Sequence, residues 1–436
     1  MGHMVTKRLA LLSLVLLPAA PAAAAPLAHR EVLPNGIVLL VAERPAIPLV
    51  AVRVLVRAGA ALDPPDRAGL ASLTGAVLTR GTSKRTGPAL DAAIEFVGGS
   101  LEAAAGRDSL NVSLRVLRKD LGLGLDLLAE VLLSPAFPAP EVARKVAELK
   151  AAIKRSEEDP AAVASRALAR LVYPGHPYGV PVEGTLESAD RLTREDVQGF
   201  WRAHARPDTT VIAVVGQVTV AEARREILAR LGGWPRPAAA PATVPEATPG
   251  PAPREETIPR ELTQATIMFG RQAIRQTNPD YFPLVVAAYV LGGGSTSRLY
   301  TRVRDQAGLA YSIYSFASPS RYGASFIAAA QTRTAEVPRV IAMVREELAR
   351  MGREPVTEHE IELAKAYLIG SFPLRLDTSG KVADFVVAVE ELGLGLDYAD
   401  RYRARVAQVT SADVQRVARQ YFAPDTFSRV VVGRSP

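Results

Sequence analysis

Cysteine is missing from all 436 residues. No disulfide, no thiolate nucleophile, no cysteine-based zinc cluster and no lipid anchor through cysteine is therefore available. Histidine is scarce: there are five, and His3 lies in a leading Met1-Gly2-His3 that reads as a cloning remnant. The other four, His29, His176, His204 and His359, fall in no His-x-x-Glu-His or His-Glu-x-x-His pattern. His359 opens a helix, where a solvated or capping role is expected, and His176 sits in a turn between Gly175 and Pro177, where a structural role is expected. A Gly-x-Ser-x-Gly elbow is also lacking, so no serine nucleophile is marked. The glycine-rich run GGGSTSRLY at 292–300 has neither the closing Gly-Lys-Ser/Thr of a phosphate loop nor the spacing of a dinucleotide loop. No block of basic residues interleaved with aromatics appears either. The formal charge of +7 is spread among acids, as in EVARKVAELKAAIKRSEED, which reads as solvated helix surface and predicts no nucleic-acid partner.

What is present begins with a leader. Lys7 and Arg8 precede the apolar run LALLSLVLLP and the small-residue stretch PAAPAAAAP. That order predicts a secretory signal peptide cut near Ala25. Its apolar core is shorter than the roughly 20 residues that span a bilayer, so no stable membrane insertion is expected after cleavage. The mature protein is expected in a bacterial periplasm, or secreted beyond it.

The chain repeats itself. Residues 192–216 match residues 409–433 at a constant offset of 217, with eleven of 25 positions identical, among them Thr193/Thr410, Asp196/Asp413, Pro207/Pro424 and Gly216/Gly433. Each copy reads as a Thr-capped helix, a Pro-Asp turn and a buried strand. A period above 200 residues is a domain duplication. Between the copies, the Pro- and Ala-dense stretch 235–256 predicts an extended surface linker without a core. The expected domains are thus 26–234 and 257–436, after a leader of 1–25. Within a half, residues 31–42 predict a hairpin turning at Asn35-Gly36, and residues 101–117 show strand alternation. Residues 69–78, 87–97, 121–133 and 141–157 predict helices. The fold class is α+β: two homologous α/β sandwich halves, each a largely antiparallel sheet covered by helices.

Residues 69–82, GLASLTGAVLTRGT, resemble the active-site helix of the pitrilysin/insulinase family of zinc peptidases, whose processing-peptidase branch writes G-L-A-H-x-x-E-H-x-L-x-x-G-T. The frame is kept in Gly69, Leu70, Ala71, Leu78, Gly81 and Thr82. The ligand and base positions hold Ser72, Gly75 and Ala76, which supply neither imidazole nor carboxylate. YPGHPYGVPVEGT at 173–185 and RSEEDPA at 155–161 resemble two further family segments, and the family's third ligand, a glutamate, corresponds to Ala151 or Ala152. The resemblance therefore implies a chain that binds no metal and cuts nothing alone.

Residues 302–315, RVRDQAGLAYSIYS, resemble the family's second-half segment carrying an Arg/Tyr pair. On that resemblance Arg304 and Tyr311 are substrate-binding residues: the tyrosine hydroxyl donates to the oxyanion, and the guanidinium binds a substrate carbonyl and holds the tyrosine in place. The resemblance implies a non-catalytic subunit whose homologous partner carries the zinc, together forming a heterodimeric endopeptidase. Extended peptide substrates are expected to add to a sheet edge. The rival reading is a stand-alone peptide-binding or scaffold protein. A metal-independent hydrolase has no nucleophile to support it.

Overall fold

The structure, a computed structural model, describes residues 26–434 apart from 249 and 251. The expected signal peptide lies outside the described residues. The first half holds strands β1 (His29–Val32), β2 (Val38–Glu43), β3 (Leu49–Val56), β4 (Ser100–Ala105), β5 (Leu110–Leu117) and β6 (Thr210–Gly216). They form one sheet in the order β1-β2-β6-β3-β5-β4, antiparallel except where β2 meets β6. The second half holds β7 (Glu255–Pro259), β8 (Gln264–Gln272), β9 (Ala310–Pro319), β10 (Ala324–Arg333) and β11 (Ser428–Gly433). Their order, β7-β11-β8-β10-β9, repeats that of the first sheet without β1, including the single parallel contact, here β7 with β11. The duplication read from the sequence is thus a duplication of topology, and the α+β two-half arrangement holds.

Local chemistry sets the elements. The helices Arg194–His204 and Ser411–Tyr421 start with matching capping boxes, Thr193 with Asp196 and Thr410 with Asp413, which satisfy the orphan N–H groups at both starts. The long helix Ala139–Glu158 stops at Asp159, whose side chain caps the next helix, Pro160–Val172, with Pro160 in its first turn. Asn35-Gly36 turns the first hairpin, with Gly36 at φ 100°. One expectation needs correcting. The alternation over 101–117 is not one strand but the hairpin β4–β5, turned by Gly106-Arg107-Asp108-Ser109. That cluster of turn formers sits inside the periodic run and divides it.

Both faces of each sheet are covered, and one cover is exchanged. The first sheet's inner face packs on its own helices, including Leu70–Leu78, Leu121–Leu133 and Arg194–His204. Its other face, with Leu40, Leu55, Val211 and Val215, receives Val382, Val386 and Val387 from the second half's helix Ser379–Glu391. Reciprocally, Ala164, Ala167 and Leu168 of the Pro160–Val172 helix pack on Met268, Ala329, Val430 and Val432 of the second sheet. This is why β6 is buried along its whole length. Each buried valine contributes about 1.5–3 kcal/mol, whereas an exposed ion pair such as Arg30–Glu390 across the same seam contributes about 0–1 kcal/mol. Apolar packing therefore holds the halves together. The connecting stretch is mostly exposed, but Val244 sinks into the seam beside Tyr173 and Tyr178, so it contributes to a core after all. Among the described residues no helix is long and apolar enough to cross a membrane.

Candidate functional site

Two places carry the sequence signals, one in each half. The first is the Leu70–Leu78 helix. Asp63 fixes its start: Gly69 N–H and Ala71 N–H each donate to the Asp63 carboxylate at 2.8 Å, while Gly69 takes φ 95°, open to glycine without strain. Burial pushes the Asp63 carboxyl up to about 7 against the opposing pull of those N–H groups. The helix lies against edge strand β4, and the contact is made at Gly75. A Cβ there would stand 2.7 Å from Ala105 N and 3.0 Å from the Ala104 carbonyl carbon, both backbone atoms that cannot swing aside. Ser72 is half-buried and Ala76 exposed.

A zinc ion, which the frame around this helix implies, does not fit here. One hydroxyl, at Ser72, is the whole donor set of the three positions, and the strand backbone occupies the space a base at Gly75 would need. Ala151 and Ala152, on Ala139–Glu158, bring no carboxylate. Among the described residues no group of three or more His, Asp or Glu side chains is placed to hold a metal ion. His176 and His204 have other partners, and His359 stands in solvent. His176 accepts from Tyr178 N–H at 3.1 Å through Nδ1, and its Nε2 meets the Pro245 carbonyl at 2.9 Å, tying the connecting stretch to the turn. His204 packs on Phe200, and burial followed by the Arg206 charge lowers its pKa. His359 is exposed at the start of a helix that Thr357 and Glu360 cap.

The second place is the segment 300–316. Residues Tyr300–Gln306 form a π-helical turn, a conformation that concentrates at functional sites. Arg302 anchors it by pairing with Glu347, a carboxylate with no exposed surface that also takes Arg350 at 2.9 Å. Arg304 projects outward from this turn. Its Nη1 donates to the Tyr300 hydroxyl at 2.7 Å and its guanidinium lies 4.7 Å from the Tyr300 ring. It therefore steadies itself on Tyr300, and not on Tyr311 as the resemblance implied. Tyr311 stands on β9, 72% exposed. Thr332 opposes Ala310 and Gln331 opposes Ser312, so Tyr311 is the unopposed residue of a β-bulge. Bulges re-aim side chains, and this one turns the tyrosine to solvent. Gly292, at the end of the helix Tyr281–Gly292, meets β9 as Gly75 meets β4: a Cβ would stand 2.5 Å from Ser315 N. Further along β9, Tyr314 and Phe316 are exposed and stacked at 6.0 Å.

Sequence reasoning missed Tyr300, Tyr314, Phe316, Asp63 and Glu347. The alternation of Tyr314 and Phe316 was readable as one face of a strand; the Tyr300 contact, four residues before Arg304, depends on the π turn and was not.

A duplicated α/β sandwich with exchanged helices, a metal-position helix without metal-binding donors and an exposed Arg/Tyr segment define a peptidase-like fold. Comparison with known proteins agrees. Residues 38–186 match the family model described as insulinase (peptidase family M16), and residues 191–368 match that described as peptidase M16 inactive domain. An uncharacterised zinc protease of Mycobacterium tuberculosis is 33% identical over 414 residues, covering 92% of each chain. One from Streptomyces coelicolor is 29% identical over 415 residues, covering 94% of this chain and 88% of its own. A Helicobacter pylori relative, 24% identical and covering 86% of this chain and 87% of its own, is named a non-peptidase homolog. The crystal structure of a peptidase M16 inactive domain from Pseudomonas fluorescens shares the fold with a TM-score of 0.89, at 24% identity over 94% of this chain and 98% of that one. The chain belongs to the insulinase family, peptidase family M16. The boundary between the two family matches, near residue 190, precedes β6, so the first sheet draws its central strand from beyond it.

Proposed function

We propose that this chain is the non-catalytic, substrate-binding subunit of a heterodimeric zinc endopeptidase that degrades or processes peptides in the periplasm. A homologous partner would hold the zinc, and this chain would present Arg304 and Tyr311 to the peptide bound there. The observation that supports this reading is the contrast between the two halves. The metal position is closed by backbone at Gly75, while Arg304 and Tyr311 stand in solvent on a braced π turn and a bulge. Exposed, pre-positioned polar groups suit a substrate supplied from outside the chain. A tyrosine hydroxyl aimed at a developing oxyanion is worth about a hundredfold or more in turnover. Relatives named as zinc proteases, and one named a non-peptidase homolog, fit a family in which metal and substrate contacts are divided between chains.

The test is reconstitution. Alone, the chain is expected to bind no stoichiometric zinc and to leave unfolded peptides intact; zinc with activity in the single chain sinks the proposal. With its partner, Tyr311→Phe and Arg304→Ala are expected to lower kcat about a hundredfold while the zinc content of the complex, read by metal analysis, stays constant. Unchanged turnover favours the stand-alone scaffold.

A further inference from the structure

A cavity of about 390 Å³ opens at the seam, walled by the first half, the second half and the connecting stretch between them. Arg57 comes from just after β3, Arg321 from the turn between β9 and β10, Glu391 from the end of the helix Ser379–Glu391, and Glu246 from the connecting stretch. Leu392 is the only aliphatic side chain in the lining. Two of its three acids are already matched: Glu246 accepts from Arg275 at 2.8 Å, and Glu390 accepts from Arg30 at 2.8 Å. The third is not. Among the described residues neither the Glu391 carboxylate nor the Arg57 guanidinium makes a hydrogen bond or an ion pair, and Glu391 Oε1 and Arg57 Nε are shut away from solvent in that state. Arg321 donates only to neutral oxygens, the Glu391 carbonyl at 2.7 Å and the Tyr322 hydroxyl at 3.1 Å. Buried charges are as a rule paired, so side chains of opposite sign left unpaired around one cavity mark a place for a ligand that carries both charges. The larger cavity beside the helix Val220–Leu231, about 710 Å³, shows the ordinary case: Arg118 there pairs with Glu222, and Glu43 accepts from Val220 N–H at 2.9 Å.

We infer that this cavity binds a small zwitterion, an α-amino acid or a dipeptide, with its carboxylate on Arg57 and Arg321 and its ammonium on Glu391. An anion alone would match the two guanidinium groups but set its charge against Glu391, and a cation alone would do the reverse. A ligand with both charges pairs all three side chains. The planar carboxylate suits the guanidinium fork, and the polar lining suits a ligand with short side chains. Because the walls come from both halves and the stretch joining them, the ligand clamps the seam. The groups that face Glu391 are Asp108 from the β4–β5 turn, Arg57 and Arg321; on its own helix Glu390 is held by Arg30 and Asp384 by Arg53. Burial and the Asp108 charge hold the Glu391 carboxyl up to about 7 despite the two arginines. An ammonium beside it favours the ionised form, so affinity rises as pH climbs through 7.

The test uses the whole chain alone, titrated in a calorimeter with L-alanine and with L-alanyl-L-alanine, each also in its N-acetylated form, which lacks the ammonium, and its C-terminal amide, which lacks the carboxylate. At least one zwitterion is expected to bind, with both of its blocked forms at least about tenfold weaker. The tighter of the two gives the spacing between the charges and so the source of the ligand. A blocked form that binds as well as its parent overturns the inference. So does the absence of both heat and a rise in thermal midpoint with either zwitterion, which leaves the cavity to water alone. Arg57→Gln and Glu391→Gln are each expected to weaken binding at least about tenfold with an unaltered circular dichroism spectrum; unchanged affinity in Glu391→Gln overturns the ammonium contact. If Arg57→Gln does not fold, Glu391→Gln and the blocked ligands still decide. Affinity is expected to rise at least about tenfold from about pH 5 to about pH 7.5 in the native chain and to stay level in Glu391→Gln. A level profile in the native chain overturns the pairing with Glu391. Neither Arg304, Tyr311 nor a partner chain takes part, so this inference and the heterodimer reading fail independently.

Discussion

Gly75 and Tyr311 mark the two halves at the scale of single residues. At Gly75 the helix Leu70–Leu78 comes so close to β4 that a methyl group would meet main-chain atoms of Ala104 and Ala105. Overpacking against atoms that cannot rotate away costs about 1–3 kcal/mol. Gly75→Ala is therefore expected to lower the thermal midpoint by several degrees, measured by calorimetry, while Ala76→Ser, at an exposed position, changes stability by no more than about half a kcal/mol and so barely moves the midpoint. Equal midpoints for both would show that the helix can lift off the strand. The same contact predicts that returning His, Glu and His to positions 72, 75 and 76 gives a destabilised chain and not a metal site. Of these positions, the loss of donors was plain in the sequence, because residue type alone decides what can bind zinc. The closing of the space was not, because a glycine in a helix gives no sign of which backbone it faces.

Among the elements, the π turn Tyr300–Gln306 illustrates what holds an exposed segment still. Glu347, with no exposed surface, draws in Arg302 from the turn and Arg350 from its own helix. Removing the central carboxylate leaves two guanidinium groups without their shared partner. Because both reach solvent, the lower end of the range for breaking a buried pair applies, about 3 kcal/mol. Glu347→Ala is expected to show that loss in urea unfolding at unchanged slope, with protection of the 300–308 amides falling in hydrogen exchange. Protection that stays at the wild-type level would mean the turn stands without this anchor. The capped helices 194–204 and 411–421 were legible because a cap is written in residues three apart. The bulge at Tyr311 was not, since it arises from the long-range pairing of β9 with β10, and the π turn carries no residue signature of its own. The hairpin β4–β5 stands between these cases: its turn residues were visible, but strand alternation continues on both sides of them.

The molecule as a whole is organised by its seam. Here the second half's Glu391, at the end of the helix Ser379–Glu391, meets the first half. Burial, reinforced by the Asp108 charge, pushes its carboxyl up to about 7 despite Arg321 and Arg57 nearby, and Glu390 beside it is taken by Arg30. Around it the Tyr178 hydroxyl donates to Asp108 at 2.6 Å and accepts from Tyr322 N–H at 3.0 Å, so the turn that the sequence marked as 173–185 serves the joint between halves. A carboxyl raised in the folded state is best tolerated neutral. Its contribution is fully present below its ordinary pKa of 4.5 and is lost as pH climbs through 7. Glu391→Gln is thus expected to raise the thermal midpoint at pH 8 and to leave it unchanged near pH 4. Parallel midpoint–pH curves for the two proteins would show that Glu391 ionises freely. The duplicated topology was readable from the 217-residue repeat. That the halves trade covering helices was not, because an amphipathic pattern says that a helix has an apolar face and not which sheet receives it.

That exchange also sets an order of events in time. The first sheet is complete once Gly216 is made, yet the helix that covers its second face begins only at Ser379. Some 160 residues intervene, roughly ten to thirty seconds of synthesis at ordinary rates. Throughout that interval Leu40, Leu55, Val211 and Val215 form an apolar face with nothing upon it. The newborn chain thus presents an apolar face that the finished protein closes.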